Sequence, residues 1–331
     1  MAEPTVQKVD QVRSEGKAAV VRAFVDEVTG LRKQRWGNLW GYVFIAPAVI
    51  MYFIFQAWPI LRGLFMAFSD YRWLIPASKG LAGFNGLANW REMFNDATFW
   101  RSLGIALRFT AMYLPAALIL SLGTAILISR VKNKFASGVY RVIAYMPVVL
   151  PVPVAMLVWA KLYHPNFGYL NVMLQSFGVA NPPNWLGSRA TALQAMVIPT
   201  VWSNFGYWTL LFLIGIYNIN TEVYEAALVD GANGWQQIWY ITLPLLKPIF
   251  TLVFVLGSGV ISATVESMAL FSGTGGGPGE AALTTGVYLY RTAFIHGDMR
   301  MGYAATMSLF LGVINMIITF IVFKTLRTER N

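Results

Sequence analysis

Thr221-Glu222-Val223-Tyr224-Glu225-Ala226-Ala227-Leu228-Val229-Asp230-Gly231-Ala232-Asn233 and the following Ile241-Thr242-Leu243-Pro244 form a polar, helix-forming stretch between two long apolar segments. Asn220 or Thr221 can cap a first helix, and Glu222 in its first turn complements the helix dipole. Gly231 is placed to end that helix in the left-handed conformation. A second helix is expected from about Asn233, with Trp235, Ile238 and Trp239 on one face and Pro244 as its stop. The spacing predicts a bent two-helix knob with the small Ala226 and Ala227 on its surface. A chain that sets such a knob between apolar spans presents it to something.

The rest of the chain makes those spans membrane spans. Of 331 residues, 56% are hydrophobic and 12% charged, about half the charge of an ordinary soluble domain, which carries about 25%. Six apolar segments reach the roughly 20 helical residues that a bilayer requires: Leu39–Leu61, Leu103–Ser129, Val139–Leu162, Leu193–Tyr217, Ile249–Phe271 and Tyr303–Phe323. Pro47, Pro115, Pro147, Pro151, Pro153 and Pro199 interrupt them, which a bundle tolerates when neighbouring helices re-satisfy the freed backbone groups.

Charge sets the expected orientation. Arg32, Lys33 and Arg35 precede the first span, Arg130, Lys132, Lys134 and Arg141 fill the loop between the second and third, and Lys324, Arg327 and Arg330 follow the sixth. The positive-inside rule assigns these regions, both termini and the knob to the cytoplasm. The loop carrying Tyr71, Trp73, Phe84, Trp90 and Trp100 is then external, although Arg72, Lys79, Arg91 and Arg101 lie there too. The 25 Lys and Arg against 15 Asp and Glu cluster beside spans rather than in one basic domain, so nucleic acid is not an expected partner.

Three domains are expected: residues 1–38, a cytoplasmic segment; 39–325, the six-span body with its loop at 220–248; and 326–331, a cytoplasmic tail. Val20, Val21, Phe24, Val25, Val28 and Leu31 recur at helical spacing opposite Lys17, Arg22, Asp26 and Glu27, as in a helix lying on the inner leaflet. Residues 1–36 contain no apolar core of a cleavable signal peptide. The absence of cysteine removes disulfides and thiolate metal sites, and His164 and His296 fall in loops. The glycine-rich Gly273–Gly279 lacks the Gly-Lys-Ser/Thr ending of a phosphate loop, and reads as a flexible external turn.

Glu266 and Arg108 are the two clear ionisable residues within the predicted spans. An intramembrane acid faces a bundle interior or wet cavity and is a functional candidate by default. Ser258, Ser262 and Glu266 recur at i, i+4 and i+8, which puts all three on one helix face. Trp202, Asn204 and Tyr207 add the aromatic and hydrogen-bonding groups that suit a sugar, and helix packing accounts for them as well. Arg108, near the start of its span, can snorkel to the interface.

The signature Glu225-Ala226-Ala227, then Gly231, then Ile241, Leu243 and Pro244, resembles the docking loop of permease subunits of bacterial and archaeal ABC importers. The resemblance extends over nearly the whole membrane region and is to the carbohydrate-uptake branch, which includes maltose and glycerol-phosphate permeases. Phe68-Ser69-Asp70-Tyr71, Gly86-Leu87-Ala88-Asn89-Trp90, Pro147, Trp159, Pro165, Gly168 and Asn171 fit its pattern. So do Thr274-Gly275-Gly276-Gly277-Pro278, Tyr290-Arg291-Thr292-Ala293-Phe294 and Gly302-Tyr303-Ala304-Ala305. It implies an all-α polytopic protein of the type I ABC importer permease fold, in the inner membrane. It also implies a second homologous permease, two cytoplasmic ATPase subunits that carry the ATP and magnesium, and an external solute-binding protein. By the same resemblance Glu225, Ala226, Ala227, Asp230, Gly231, Leu243 and Pro244 couple to the ATPase. Trp202, Asn204, Tyr207, Ser258, Ser262 and Glu266 are candidates for the substrate path.

Two other classes compete. An ion-driven secondary transporter calls for more intramembrane acids or discontinuous helices in repeated halves, and neither is evident. A non-transporting scaffold or sensor could use the same knob. A membrane enzyme is disfavoured, since the chain shows no paired carboxylates, nucleophile–base set or metal spacing.

Overall fold

The computed structural model describes residues 41–78, 83–258 and 263–326, together with Ala19, Val20 and Val25. The expected amphipathic segment apart from Val20 and Val25, the basic cluster at residues 32–35, Ser262 and most of the 326–331 tail lie outside the described residues. The chain divides into two compact units, residues 1–63 and 64–331. Among the described residues it is all-helical apart from one isolated bridge, Ser69 to Phe84.

The first long helix, α1, is Gly41–Met66. It widens to π-helical geometry at Phe53–Ala57, where the Trp58 N–H reaches Phe53 O. Pro59, next along, has no N–H to give to Phe55, and the wider turn lets the helix continue past it.

In the second unit α2 (Ala88–Asn95) leads into α3 (Ala97–Ser129). Then come α4 (Lys134–Val149), α5 (Val152–Leu162), α6 (Tyr169–Ser176) and α7 (Ala192–Tyr217). The short α8 (Thr221–Val229) and α9 (Gly234–Leu245) precede α10 (Lys247–Ser258) and α11 (Thr264–Leu270). The chain then forms α12 (Thr285–Phe294) and α13 (Met301–Leu326). By length and composition four helices can cross a membrane, or up to six if the bent pairs α4–α5 and α9–α10 each count as one span.

Helix α7 is the hub: α3, α4, α5, α10 and α11 all pack on it. Phe109, Tyr113, Met196, Trp208 and Phe212 are buried in that core. Helices this apolar associate through close contact and interhelical hydrogen bonds rather than through exclusion of water. A Cβ on Gly206 would lie 2.0 Å from Ala144 O, so glycine there lets α4 and α7 touch backbone to backbone. Ser121 Oγ donates to Phe205 O at 3.0 Å, and Thr209 Oγ1 lies 3.3 Å from Ser121 O, tying α3 to α7.

Two expected spans are not single helices. The segment expected at 139–162 is α4 and α5, bent by 95°. Leu150 is extended ahead of Pro151, because a residue before proline is driven out of the helical region; Pro147 and Pro153 sit inside their helices. The segment expected at 249–271 is α10 and α11, with Ala263 left-handed at φ +34° between them. Ser258 and Glu266 therefore belong to different helices and do not share a helix face. The glycine-rich turn is also more than a tether: Gly273 N donates to Met268 O at 2.8 Å and Ala282 N to Gly276 O at 2.7 Å.

Candidate functional site

The knob forms from local rules. Asn220 caps α8 by accepting from the Glu222 N–H at 3.1 Å. At the other end Gly231 sits at φ +82°, and the Ala232 N–H reaches back to Ala227 O at 2.8 Å while that of Gly231 reaches Leu228 O. This left-handed closure satisfies the last carbonyls and turns the chain. Asn233 then opens α9 with a capping box: its side chain accepts from Trp235 and Gln236 N–H, both at 3.0 Å, and Gln236 Oε1 accepts from Asn233 N at 2.7 Å. Each cap satisfies helix-end N–H groups that otherwise lack a partner.

Pro244 does not stop the second helix. The backbone widens to π-helical geometry at Ile238–Thr242, and the Leu243 N–H bonds Ile238 O. That is the same accommodation as at Pro59. The helix ends at Leu245, and α10 departs at 64°. Tyr224 on α8 and Thr242 on α9 join the two arms, hydroxyl to hydroxyl, at 2.9 Å. Thr242 donates its one hydroxyl proton to Gln237 O at 3.2 Å, so Tyr224 is the donor to Thr242.

The knob exposes large apolar side chains beside its acids. Leu228 is 61% exposed, Val229 88%, Trp235 72% and Tyr240 79%. Glu225, Ala226, Asp230, Gly231 and Pro244 are exposed with them, and Ala227 and Leu243 are half-buried. Trp235 and Trp239 face out, while Ile238 turns inward to a cavity of about 370 Å³. That cavity lies between the knob and the C-terminal ends of α3 and α7, lined by Ile126, Arg130, Tyr217, Tyr224 and Thr242. Arg130, the residue ending α3, spans the gap and donates to Gly234 O at 3.1 Å.

The residues expected along a substrate path are only partly brought together. Trp202 is half-buried and meets Trp159 edge-on at 5.9 Å. Asn204 donates to Thr200 O at 2.8 Å within its own helix, and Tyr207 is exposed. At about 100° per residue, Asn204 and Tyr207 share a face of α7 that Trp202 does not. Ser258 is buried and bonded to Val255 O. Glu266 opens α11, half-buried and within electrostatic reach of Tyr113, whose buried hydroxyl has no hydrogen-bond partner among the described residues.

At the opposite end of α3 the structure holds a layer that sequence reasoning did not find. Asp96 caps α3, Oδ1 accepting from Thr98 and Phe99 N–H, while Oδ2 accepts from Tyr288 OH at 2.6 Å and Tyr303 OH at 2.8 Å. Partial burial works against its charge, but these hydrogen bonds outweigh it and hold the carboxyl below its usual range. Arg72 bridges Asp70 at 3.0 Å and Asp298 at 2.5 Å, and Arg300 grips Glu92 with both nitrogens at 2.6 Å. Glu280 binds Arg291 at 3.1 Å and Arg101, and Arg291 foremost holds it below the ordinary carboxylate value. No signal in the sequence pairs Asp96 with Tyr288 and Tyr303, Glu92 with Arg300 or Arg72 with Asp298, which lie 192 to 226 positions apart.

Residues 117–325 match the family described as "binding-protein-dependent transport system inner membrane component". The chain is similar to the probable ABC transporter permease protein YesP of Bacillus subtilis, 35% identical over 91% of this chain and 94% of that protein. It is also similar to the trehalose/maltose transport system permease protein MalF of Thermococcus litoralis, 30% identical over 89% and 97%. Its fold matches a chain of a bacterial ABC transporter involved in the import of the acidic polysaccharide alginate. There the TM-score is 0.75 at 22% identity, over 91% of this chain and 99% of that one.

Proposed function

The chain belongs to the binding-protein-dependent transport system inner membrane component family, and on that premise we propose how it works as the permease subunit of an ATP-driven importer. It crosses the bacterial or archaeal inner membrane six times with both termini in the cytoplasm. The bent α4–α5 pair forms one crossing, and α10 continuing to α11 another. A second, homologous permease completes the pore, an external binding protein delivers a sugar or polyol derivative, and two ATPase subunits supply the work. Among the relatives, MalF of Thermococcus litoralis carries trehalose/maltose in its name and LacF of Rhizobium radiobacter carries lactose; the sugar class comes to this chain from them.

The observation that carries this reading is the exposed knob of α8 and α9. Its caps, the Gly231 turn, the Tyr224–Thr242 link and the Arg130 strut make it stiff, and Leu228, Val229, Trp235 and Tyr240 give it an exposed apolar face. A stiff element with an unfilled apolar face can transmit a rigid-body movement from a docked partner. Glu225, Ala226, Ala227, Asp230 and Gly231 form the docking elbow, with Leu243 and Pro244 in the arm that returns to α10. Glu266, Ser258, Asn204 and Tyr207 contribute polar groups along the path, with Trp202 on another face of α7.

Because the chain has no cysteine, one introduced thiol reports its neighbour directly. Val229→Cys carrying a thiol-specific photo-crosslinker, placed in the assembled importer, should capture an ATPase subunit. Capture of lipid or of the second permease alone would refute the docking assignment.

A further inference from the structure

We propose that the arginine-rimmed cleft between the N-terminal ends of α3 and α7 binds the phosphodiester of an anionic phospholipid. The cleft holds about 530 Å³. Arg101, Arg108 and Arg189 rim it, and Ile105, Met112 and Leu193 give it an apolar wall. Glu280 is the one acid in the lining, and it is already engaged by Arg101 and Arg291. Among the described residues Arg108 and Arg189 have no carboxylate partner. The Arg108 guanidinium only leans back along its helix to Gly104 O at 3.2 Å. Arg189 lies across Gly279, where a Cβ would come within 2.6 Å of its Nε. Two guanidinium groups are thus held beside an apolar wall with their charge unspent.

Depth decides the occupant. Helix α3 has 33 residues and is about 50 Å long, well beyond the hydrocarbon thickness of about 30 Å. Counting about 20 residues back from Ser129 puts the hydrocarbon boundary near Phe109. The same count from Tyr217 on α7 reaches about Ile198. Arg108 therefore lies at that boundary, with Arg101, Arg189 and Gln194 a turn or more above it, at headgroup level. Below, Met112 on α3 is 37% exposed, and Ile119, two turns further along the same helix face, is 74% exposed. Cationic groups at phosphate depth above an open apolar flank match a phospholipid end to end, and a soluble anion would leave the apolar flank unused. Basic pockets between transmembrane helices on the cytoplasmic side recognise lipid headgroups, and the same pairing of guanidinium with phosphodiester serves at the outer end of α3.

The proposal rests on α3 and α7 crossing the bilayer as described above. The test uses the purified full chain in detergent, with phosphatidylglycerol or phosphatidylcholine added and bound lipid counted by native mass spectrometry. Phosphatidylglycerol should be retained preferentially, and each arginine should contribute about fivefold. Arg189→Gln should lower the preference by about that factor, and Arg108→Gln/Arg189→Gln by its square. Arg91→Gln, an exposed charge elsewhere, should leave it unchanged, and Arg108→Lys should keep most of it.

Equal retention of the two lipids, or full preference in Arg189→Gln, overturns the proposal. Displacement of the lipid by free glycerol 3-phosphate at equal concentration also overturns it, since it names a soluble anion as the ligand. A single thiol at Ala190→Cys, probed with a membrane-impermeant reagent in cells and in inverted membrane vesicles, separates the two readings. Labelling from outside with no lipid preference overturns the lipid site alone. Labelling only from the cytoplasmic side overturns the six-crossing topology with it.

Discussion

Tyr224 and Thr242 meet at 2.9 Å across the knob, and this contact is the one side-chain bond described between the arms of α8 and α9. Thr242 is buried and keeps its bond to Gln237 O when Tyr224 is truncated. Tyr224→Phe should therefore cost only about 1 kcal/mol and leave the complex assembled. If the knob works by being stiff, ATP turnover in that variant should rise relative to solute moved. An unchanged ratio of hydrolysis to uptake would show that the cross-link is dispensable.

Gly206 tests the packing account. With Ala144 O 2.0 Å from the position of a Cβ, backbone meets backbone and neither side can yield by changing rotamer. Gly206→Ala should destabilise the bundle by about 2–3 kcal/mol, seen as a lower melting temperature in detergent. A melting temperature equal to that of the native chain would mean that α4 and α7 are less tightly joined than described.

Asp96 makes the fold acid-sensitive in a defined direction. Its carboxyl is held below the usual range by hydrogen bonds that outweigh the cost of burial, so the unfolded chain binds more protons in acid than the folded one. The stabilisation is complete above the ordinary carboxylate value of about 4 and is lost as pH falls through the lower folded value. Intrinsic tryptophan fluorescence followed during acid titration should report the loss. In Asp96→Asn the protein should be less stable at neutral pH and its stability less dependent on acid. A variant with the native acid dependence would assign the effect to other carboxylates.

Arg130 ties the knob to the end of α3 through Gly234 O. Arg130→Gln should leave helix content unchanged and speed hydrogen exchange in α9, because the strut and not the helix is lost. Exchange at the native rate would remove Arg130 from the account.

What the sequence made legible follows physical range. The caps at Asn220 and Asn233 and the turn at Gly231 depend on neighbours a few residues away, and each forms where side-chain chemistry places it. Pro244 was misleading because a proline forbids one hydrogen bond without forbidding a wider turn. The break at Ala263 was hidden because Ser258 through Glu266 is apolar enough to pass for one helix. Trp202 stands apart from Asn204 and Tyr207 because helical phase separates residues that lie close in sequence. The bond from Tyr288 to Asp96 joins residues 192 positions apart, and only the packing of α12 and α13 against α3 brings them together.

Coupling through the Gly231 bend is the central claim. The residue sits at φ +82° with open space around it, so a side chain there strains the backbone without striking a neighbour. Uptake and ATP hydrolysis should be measured together in proteoliposomes containing the importer with Gly231→Val. The account predicts that the complex assembles and hydrolyses ATP while solute uptake falls at least about tenfold, the effect of 1.4 kcal/mol on a coupled step. Normal uptake with normal solute-stimulated hydrolysis would contradict it.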